Sequence, residues 1–543
     1  MSSAELILTG GRIFLGLAEG FAEALAVSGG KVLAVGSAAE IAALVGLGTR
    51  SIDLAGRLAV PGLNDAHMHL VPLGAGMLEI GLRADTGANS IGAILERIAA
   101  AARQRPPGSW IVASGYDHNE LAEKRHPTAQ ELDAVAPDHR VYVKRTCSHI
   151  AIANSRALQA AGIGLDTPVP DGGLIERRDG ALTGLLAEGA MRLVLRVMPK
   201  AGREELVAAI ERAGASMLAQ GITSTMEAAA GMNGGMEELA AFEEAATTGR
   251  LPLRTWTCLY GNPDGIGDKA HAAGYRFGRE VGLLRYGAMK VFADGSAGGL
   301  TAAMSQPYLV GEPGNHGVLC LPEREMHQYL AHYHAMGYQL AIHAIGDAAI
   351  EQVLSGIERA GTAAQPVLGR RHRIEHCGFL NEDQLRRMVA AGIDPVPQPI
   401  FLYDFGDLYR RNVGMERTVA SHPMRRWLDA GLHPAASTDS PVCATDPFKN
   451  LYAMTTRRTR AGTLLGPDQR LSMAEALHAY TACGAYTQFA EDRMGRLLPG
   501  QYADIAVMSH DLFAIEPEEL AGAARCDITI RGGEVVFDRL GQC

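Results

Sequence analysis

Eight short apolar runs, near residues 61–67, 222–228, 253–260, 286–292, 340–344, 372–376, 394–398 and 434–438, recur along this chain with helical stretches between them. This alternation constrains the fold more than any other feature. Strand-length runs separated by helices form parallel strands with helical crossovers. Eight of them is the number that closes a (β/α)8 TIM-like barrel, so an α/β barrel is the expected fold class. The count holds only if residues 70–215 lie between the first and second strands. A structureless loop of that length is implausible. The segment has its own strand-like runs, "SWIVASGYD" and "RVYVKRT", and helical stretches near 91–103 and 204–219, so an inserted α+β lid domain over the barrel mouth is expected.

The two termini share a different pattern. "LTGGRIF" near the start and "IRGGEVVF" near the end both read as strand, Gly-Gly turn, strand, and they predict hairpins of one sheet built from both ends. The expected division is therefore 1–60 as the first part of a β-sandwich, 61–69 with 216–490 as the barrel, 70–215 as the lid, and 491–543 as the rest of the sandwich. Ser472 and Glu475 in "SMAEALHAYT" form a capping box that starts a helix after the last barrel strand.

Composition narrows the class. With 543 residues, 47% hydrophobic and 20% charged, the chain can bury a large core, and a formal charge of −10 without a basic stripe argues against nucleic-acid binding. The eight cysteines show no CxxC pairing, which reads as reduced thiols rather than a disulfide framework. No apolar run reaches the roughly 18 residues of a membrane span, and the start lacks a basic region before an apolar one, so a cytoplasmic enzyme is expected.

Chemistry-bearing side chains fall at the ends of these runs. "VPGLNDAHMHL" carries His67 and His69, two residues apart and so on one face of a strand. "QLAIHAIGD" places His343, "HRIEHC" places His376 and "PAASTDSPV" places Asp439 where each strand should meet its loop. Any one of these is an ordinary core histidine or capping aspartate. Together they converge on the end of a barrel where active sites are built. "YGAMKVFADGSAGG" adds Lys290 among apolar neighbours, where a lysine needs either a carboxylate such as Asp294 or a change in its own chemistry. The glycines of "DGSAGG" do not have the spacing of a phosphate-binding loop.

The motifs "PGLNDAHMHL", "MKVFADGSAGGLTAA", "AIHAIGDAAI", "RIEHC" and "STDSPV" together resemble the metal-dependent amidohydrolase superfamily. Within it they are most similar to family 3 amidohydrolases, the group that includes N-substituted formamide deformylases. The resemblance implies that His67, His69, His343, His376 and Asp439 bind one or two divalent ions, zinc foremost, with manganese, iron and cobalt as alternatives. It also implies that Lys290 is carboxylated by carbon dioxide and bridges two ions, or stays unmodified beside one. His149, in "KRTCSHIAIANSRAL", is implied as a catalytic contact to the substrate carbonyl, and Asp117 and His118, with Tyr116, as pocket residues. Glu188, in "GLLAEGAM", matches a family glutamate. For His149 the plain alternative is a surface polar residue, and for Glu188 a solvated or salt-bridged one. Small-molecule hydrolysis of an amide or N-formyl C–N bond follows, with Asp439 as general base and then acid, and with a homodimer as the implied assembly. Hydrolysis of cyclic amides, carbamates or esters is the second reading. A non-catalytic scaffold is the third.

Overall fold

The computed structural model describes residues 3–541 apart from 119, 147–149, 171, 172 and 262. The chain forms two compact units, Met1–Val71 with Leu206–Cys543, and Pro72–Glu205.

In the larger unit, seven parallel strands follow one another around a sheet in chain order: β1 (Leu63–Met68), β2 (Ile222–Ala230), β3 (Arg254–Tyr260), β4 (Leu284–Phe292), β5 (Gln339–Ala344), β6 (Arg373–His376) and β7 (Asp394–Val396). Covering a parallel sheet on both faces demands continuous apolar or satisfied sequence, and β2 is buried along its whole length. Gly287 on β4 shows how tightly the interior is filled. A Cβ there would fall 1.8 Å from Cε2 of Trp256, so only glycine leaves room for the indole.

The eighth expected strand, 434–438, does not form. The segment still lies between β7 and β1, because Ala435 N–H donates to Pro395 O (3.2 Å), Ala66 N–H to Ala436 O (3.3 Å) and Asp439 N–H to His67 O (2.8 Å). Pro434 has no N–H to give, and Ala436 N–H turns away to Ala479 O at 2.9 Å. Too few ladder bonds remain for a strand, and side chains take up the closure. Ser437 Oγ donates to Pro397 O (2.8 Å), and Thr438 donates its N–H and Oγ1–H to Asp65 at 3.0 and 2.6 Å. The result is a TIM-like barrel whose last stave is held by a few backbone bonds together with side chains.

The terminal segments build two sheets. One has the order Lys31–Gly36, Ala24–Ser28, Leu6–Thr9, Arg50–Asp53, and the other Glu534–Asp538, Cys526–Arg531, Ile505–Met508, Leu58–Pro61, Arg12–Gly16, Gly20–Ala22. Their inward residues, among them Leu8, Ile13, Leu25, Ile505 and Ile528, form one core. "IRGGEVVF" is a hairpin, with Arg531 opposite Glu534 across Gly532 and Gly533, both at positive φ. "LTGGRIF" is not, since its two strands lie in different sheets. Each half follows the 50–61 stretch in parallel, Leu6–Thr9 along Arg50–Asp53 and Arg12–Ile13 along Leu58–Ala59, so both chains cross between the sheets together.

The smaller unit has a six-stranded sheet, ordered Leu174–Arg178, Ala181–Ala187, Ile150–Ala153, Arg140–Arg145, Trp110–Tyr116, Ile80–Gly81. Val141 and Val143 enter one apolar cluster and Tyr142 the other, the alternation of a sheet covered on both faces. This unit ends earlier than the 70–215 segment expected. The helix Arg203–Leu218 buries Val207, Ile210, Ala213 and Met217, and Gly214 leaves the space that Pro252 of the larger unit fills. Among the described residues no helix is long and apolar enough to cross a membrane.

Candidate metal centre

β1 delivers His67 and His69 to one end of the barrel. Asp439 Oδ1 lies 3.4 Å from Nε2 of both. His376, at the end of β6, stands with its ring 5.0 Å from that of His67, and His343, on β5, 4.4 Å from that of His376. His67, His376 and Asp439 each bring one ligand atom to within 4.8 Å of the others. His343 Nε2 faces Gly295 O at 3.0 Å instead, so the structure brings it beside this group rather than into it.

Other residues orient these side chains, and the sequence reading missed them. Arg373 donates to Glu375 at 2.5 and 3.0 Å, which keeps the buried carboxylate far below its ordinary range although burial alone would raise it. An ionised Glu375 only accepts, so His67 Nδ1–H donates to it at 2.5 Å, which turns Nε2 toward Asp439. Gln398 Oε1 accepts from His376 Nδ1 at 2.6 Å, and its amide is fixed by donating to Ser437 Oγ at 2.9 Å. Glu227 accepts from Leu70 N–H at 2.7 Å and stands 3.6 Å from His69 Nδ1.

Burial disfavours a charged His69, yet hydrogen bonds to Asp439 and Glu227 outweigh it and push the imidazole up to about 9. Asp439 is held well below the carboxylate range, because His67 and His69 outweigh the effect of its burial. A proton on His69 thus does what a cation would do, and a cation would displace it. The fit to a metal ion also shows in two buried atoms without hydrogen-bond partners, His67 Nε2 and Lys290 Nζ.

Lys290 is fully buried, and burial drives its pKa down. The alternative, a pairing with Asp294, does not occur. Asp294 accepts instead from the N–H groups of Ala303 (2.9 Å), Ile345 (3.0 Å) and Gly346 (2.9 Å). Lys290 Nζ meets the Phe292 ring at 4.7 Å. An amine in this setting favours its neutral, nucleophilic form.

The remaining candidates belong to the smaller unit. Asp117 accepts from Arg145 Nη2 at 2.6 Å, and His118 Nδ1 from Arg145 Nε at 3.2 Å. His118 stacks on His126 with ring centroids 4.1 Å apart, and His126 Nδ1 bonds the Tyr116 hydroxyl at 2.9 Å. Burial, with His118 and Arg145 nearby, pushes His126 down to about 4. Glu188 is exposed at φ +48°, at the start of a 3-10 turn that follows the strand Ala181–Ala187. His149 lies outside the described residues.

Comparison with known proteins agrees with this geometry. Residues 50–537 match the model of the amidohydrolase family. YtcJ of Bacillus subtilis (strain 168) is 30% identical over 542 residues, covering 98% of this chain and 99% of its own length. The N-substituted formamide deformylase of Arthrobacter pascens is 30% identical over 502 residues, 90% of each chain. A crystal structure of an uncharacterized metal-dependent hydrolase from Pyrococcus horikoshii OT3 superposes with a TM-score of 0.79 at 27% identity, covering 94% of this chain and 99% of the other. With a barrel whose strand ends gather imidazoles and a carboxylate, and relatives matched along nearly the whole chain, this protein belongs to the amidohydrolase family, hydrolases of carbon–nitrogen bonds.

Proposed function

We propose that the enzyme hydrolyses the C–N bond of a small amide or N-formyl compound at one or two divalent ions, zinc foremost, held by His67, His69, His343, His376, Asp439 and a carboxylated Lys290. The observation that carries the reading is the approach of Asp439 Oδ1 to within 3.4 Å of two imidazole nitrogens. When bound, such an ion lowers the pKa of its water to about 7 and polarises the scissile carbonyl. Asp439, ionised at neutral pH, takes the proton from the attacking water and hands it to the departing amine as the C–N bond breaks. Glu375 and Gln398 each hold an Nδ1–H, so that Nε2 of His67 and of His376 is the atom each ring offers to an ion. Lys290, as a neutral amine, adds to carbon dioxide; the N–C bond forms, a proton leaves, and an anionic carbamate replaces a buried amine.

The N-formyl assignment draws support from the Arthrobacter relative, an N-substituted formamide deformylase. On the substrate side, His149, Asp117, His118 and Glu188 contact the substrate, a role that rests on the resemblance of their motifs. The test is metal analysis together with turnover of N-formyl amines, carbamates, lactams and aryl esters before and after chelation. Loss of activity on chelation and recovery with zinc are expected. Full activity in a metal-free preparation refutes the proposal, and turnover confined to lactams, carbamates or esters replaces its substrate class.

A further inference from the structure

We propose that Asp65 is a positioning residue for Asp439, doing with a side chain what ladder bonds do elsewhere in the barrel. The inference rests on the role given to Asp439 above. His67 and His343 lie within strands and His376 ends one, each anchored by the sheet. Asp439 follows the one stave that forms no strand, so fewer ladder bonds hold it and side-chain bonds add to them.

Asp65 is fully buried on β1, two residues before His67 and on the same face. Its carboxylate accepts from Thr438 N–H (3.0 Å), Thr438 Oγ1–H (2.6 Å) and, at 3.4 Å, His67 N–H. The Thr438 hydroxyl in turn accepts from Ser440 N–H at 3.2 Å, which spans Asp439 from one side to the other. Asp439 N–H donates to His67 O at 2.8 Å, and Ser440 O accepts from His69 N–H at 2.8 Å. Residues 438–440 are thereby bracketed onto the strand that carries the two histidines, and Asp439 is kept at φ +55° with Oδ1 equidistant from both imidazoles. The Asp65–Thr438 pair is the part of this bracket made by side chains. Without it the carboxylate loses its registry with His67 and His69, and misplacement of a reacting group by about 1 Å costs on the order of 100-fold in rate.

The experiment compares Thr438→Val, which deletes the hydroxyl with little change of shape, Thr438→Ser, which keeps it, Asp65→Asn, which keeps one acceptor, and Asp439→Asn. kcat and KM are measured separately on the best substrate of the panel, and the absorption bands of the cobalt(II)-substituted proteins report the arrangement around the ion without turnover. Thr438→Val should lower kcat about 100-fold with KM changed less than about threefold, and should shift the cobalt bands. Thr438→Ser should restore both, and Asp65→Asn should fall between. Parental kcat and bands in Thr438→Val, or equal losses in Thr438→Val and Thr438→Ser, overturn the proposal. An inactive Asp439→Asn beside an unaffected Thr438→Val removes only the positioning role, whereas an active Asp439→Asn removes the role of Asp439 itself.

Discussion

A buried histidine pair at the opposite end of β5 and β6 makes the stability of the barrel depend on pH in a calculable way. Leu340 N–H donates to His372 Nδ1 at 3.0 Å, His372 Nε2–H donates to His334 Nδ1 at 2.9 Å, and His334 Nε2–H donates to Gln365 O at 3.0 Å. Both nitrogens of the His372 ring are used and its side chain is fully buried, so it has no place for another proton. Burial, then His334 and Arg370, lowers His372 from 6.5 to about 3. The fold therefore binds fewer protons than the unfolded chain between these values. Stability is complete above about pH 6.5 and is lost as pH falls toward 3. At about pH 5 the unfolded imidazole is roughly thirtyfold more protonated than neutral, which stabilises the unfolded state by about 2 kcal/mol. Urea unfolding at about pH 8 and pH 5, in excess chelator, can be followed through the emission of the buried Trp256 and Trp427. His372→Asn keeps an acceptor for Leu340 N–H and removes the titration. It should be less stable than the parent at pH 8, yet lose about 2 kcal/mol less on acidification. His422, also lowered to about 3, acts equally in both proteins and cancels. Equal losses in parent and variant would refute the reasoning.

Three further outcomes are expected. Glu375→Gln puts an amide N–H against either His67 Nδ1–H or Arg373, which favours the wrong imidazole tautomer, and should weaken zinc binding about 10- to 100-fold in a chelator competition. The intact mass of the native protein should exceed that of the acid-denatured one by one carbon dioxide, and Lys290→Ala should abolish the difference along with most of the bound metal; full metal content and activity in that variant would exclude a bridging role. Gly287→Ala sets a methyl 1.8 Å from Cε2 of Trp256, so the barrel interior must shift, and a loss of at least about 1–3 kcal/mol should appear in the same urea titrations.

The barrel was legible in the sequence because parallel strands covered on both faces leave unbroken apolar runs, and seven of eight such runs became strands. The eighth failed at Pro434, whose missing donor is visible in the sequence but whose consequence depends on where Ala436 N–H finds its acceptor. The two Gly-Gly motifs were locally alike, and their fates diverged through pairing with residues 50–61, a long-range choice that turn chemistry does not encode. His67, His69, His376 and Asp439 could be picked out because each stands at the end of a run. Gln398, Glu227 and Asp65 have no comparable local mark, since each matters only through a partner far away in the sequence. The alternative of a Lys290–Asp294 pair fails for a related reason: Asp294 is already claimed by three backbone N–H groups from other segments.

Glu375 is the most informative omission, because it stands inside the quoted "RIEHC". Period-two alternation sends neighbours to opposite faces, so choosing His376 for the interior assigns Glu375 to the outside. Both nevertheless converge on His67, Glu375 at its Nδ1 and His376 against its ring. The backbone permits this by leaving the strand conformation at once: His376 has φ +69° and Cys377 φ +48°, and Asp439 has φ +55°. A left-handed non-glycine residue costs about 1–2 kcal/mol, so such positions persist only where surrounding bonds impose them. Here Cys377 N–H is tied to Ala344 O and Asp439 N–H to His67 O. Lys290, buried without a hydrogen-bond partner, is a third break with local rules in the same barrel. Departures of different kinds, in backbone conformation, alternation and charge burial, gather around one pair of histidines, which is the pattern of a fold that gives up local consistency to assemble a reactive centre.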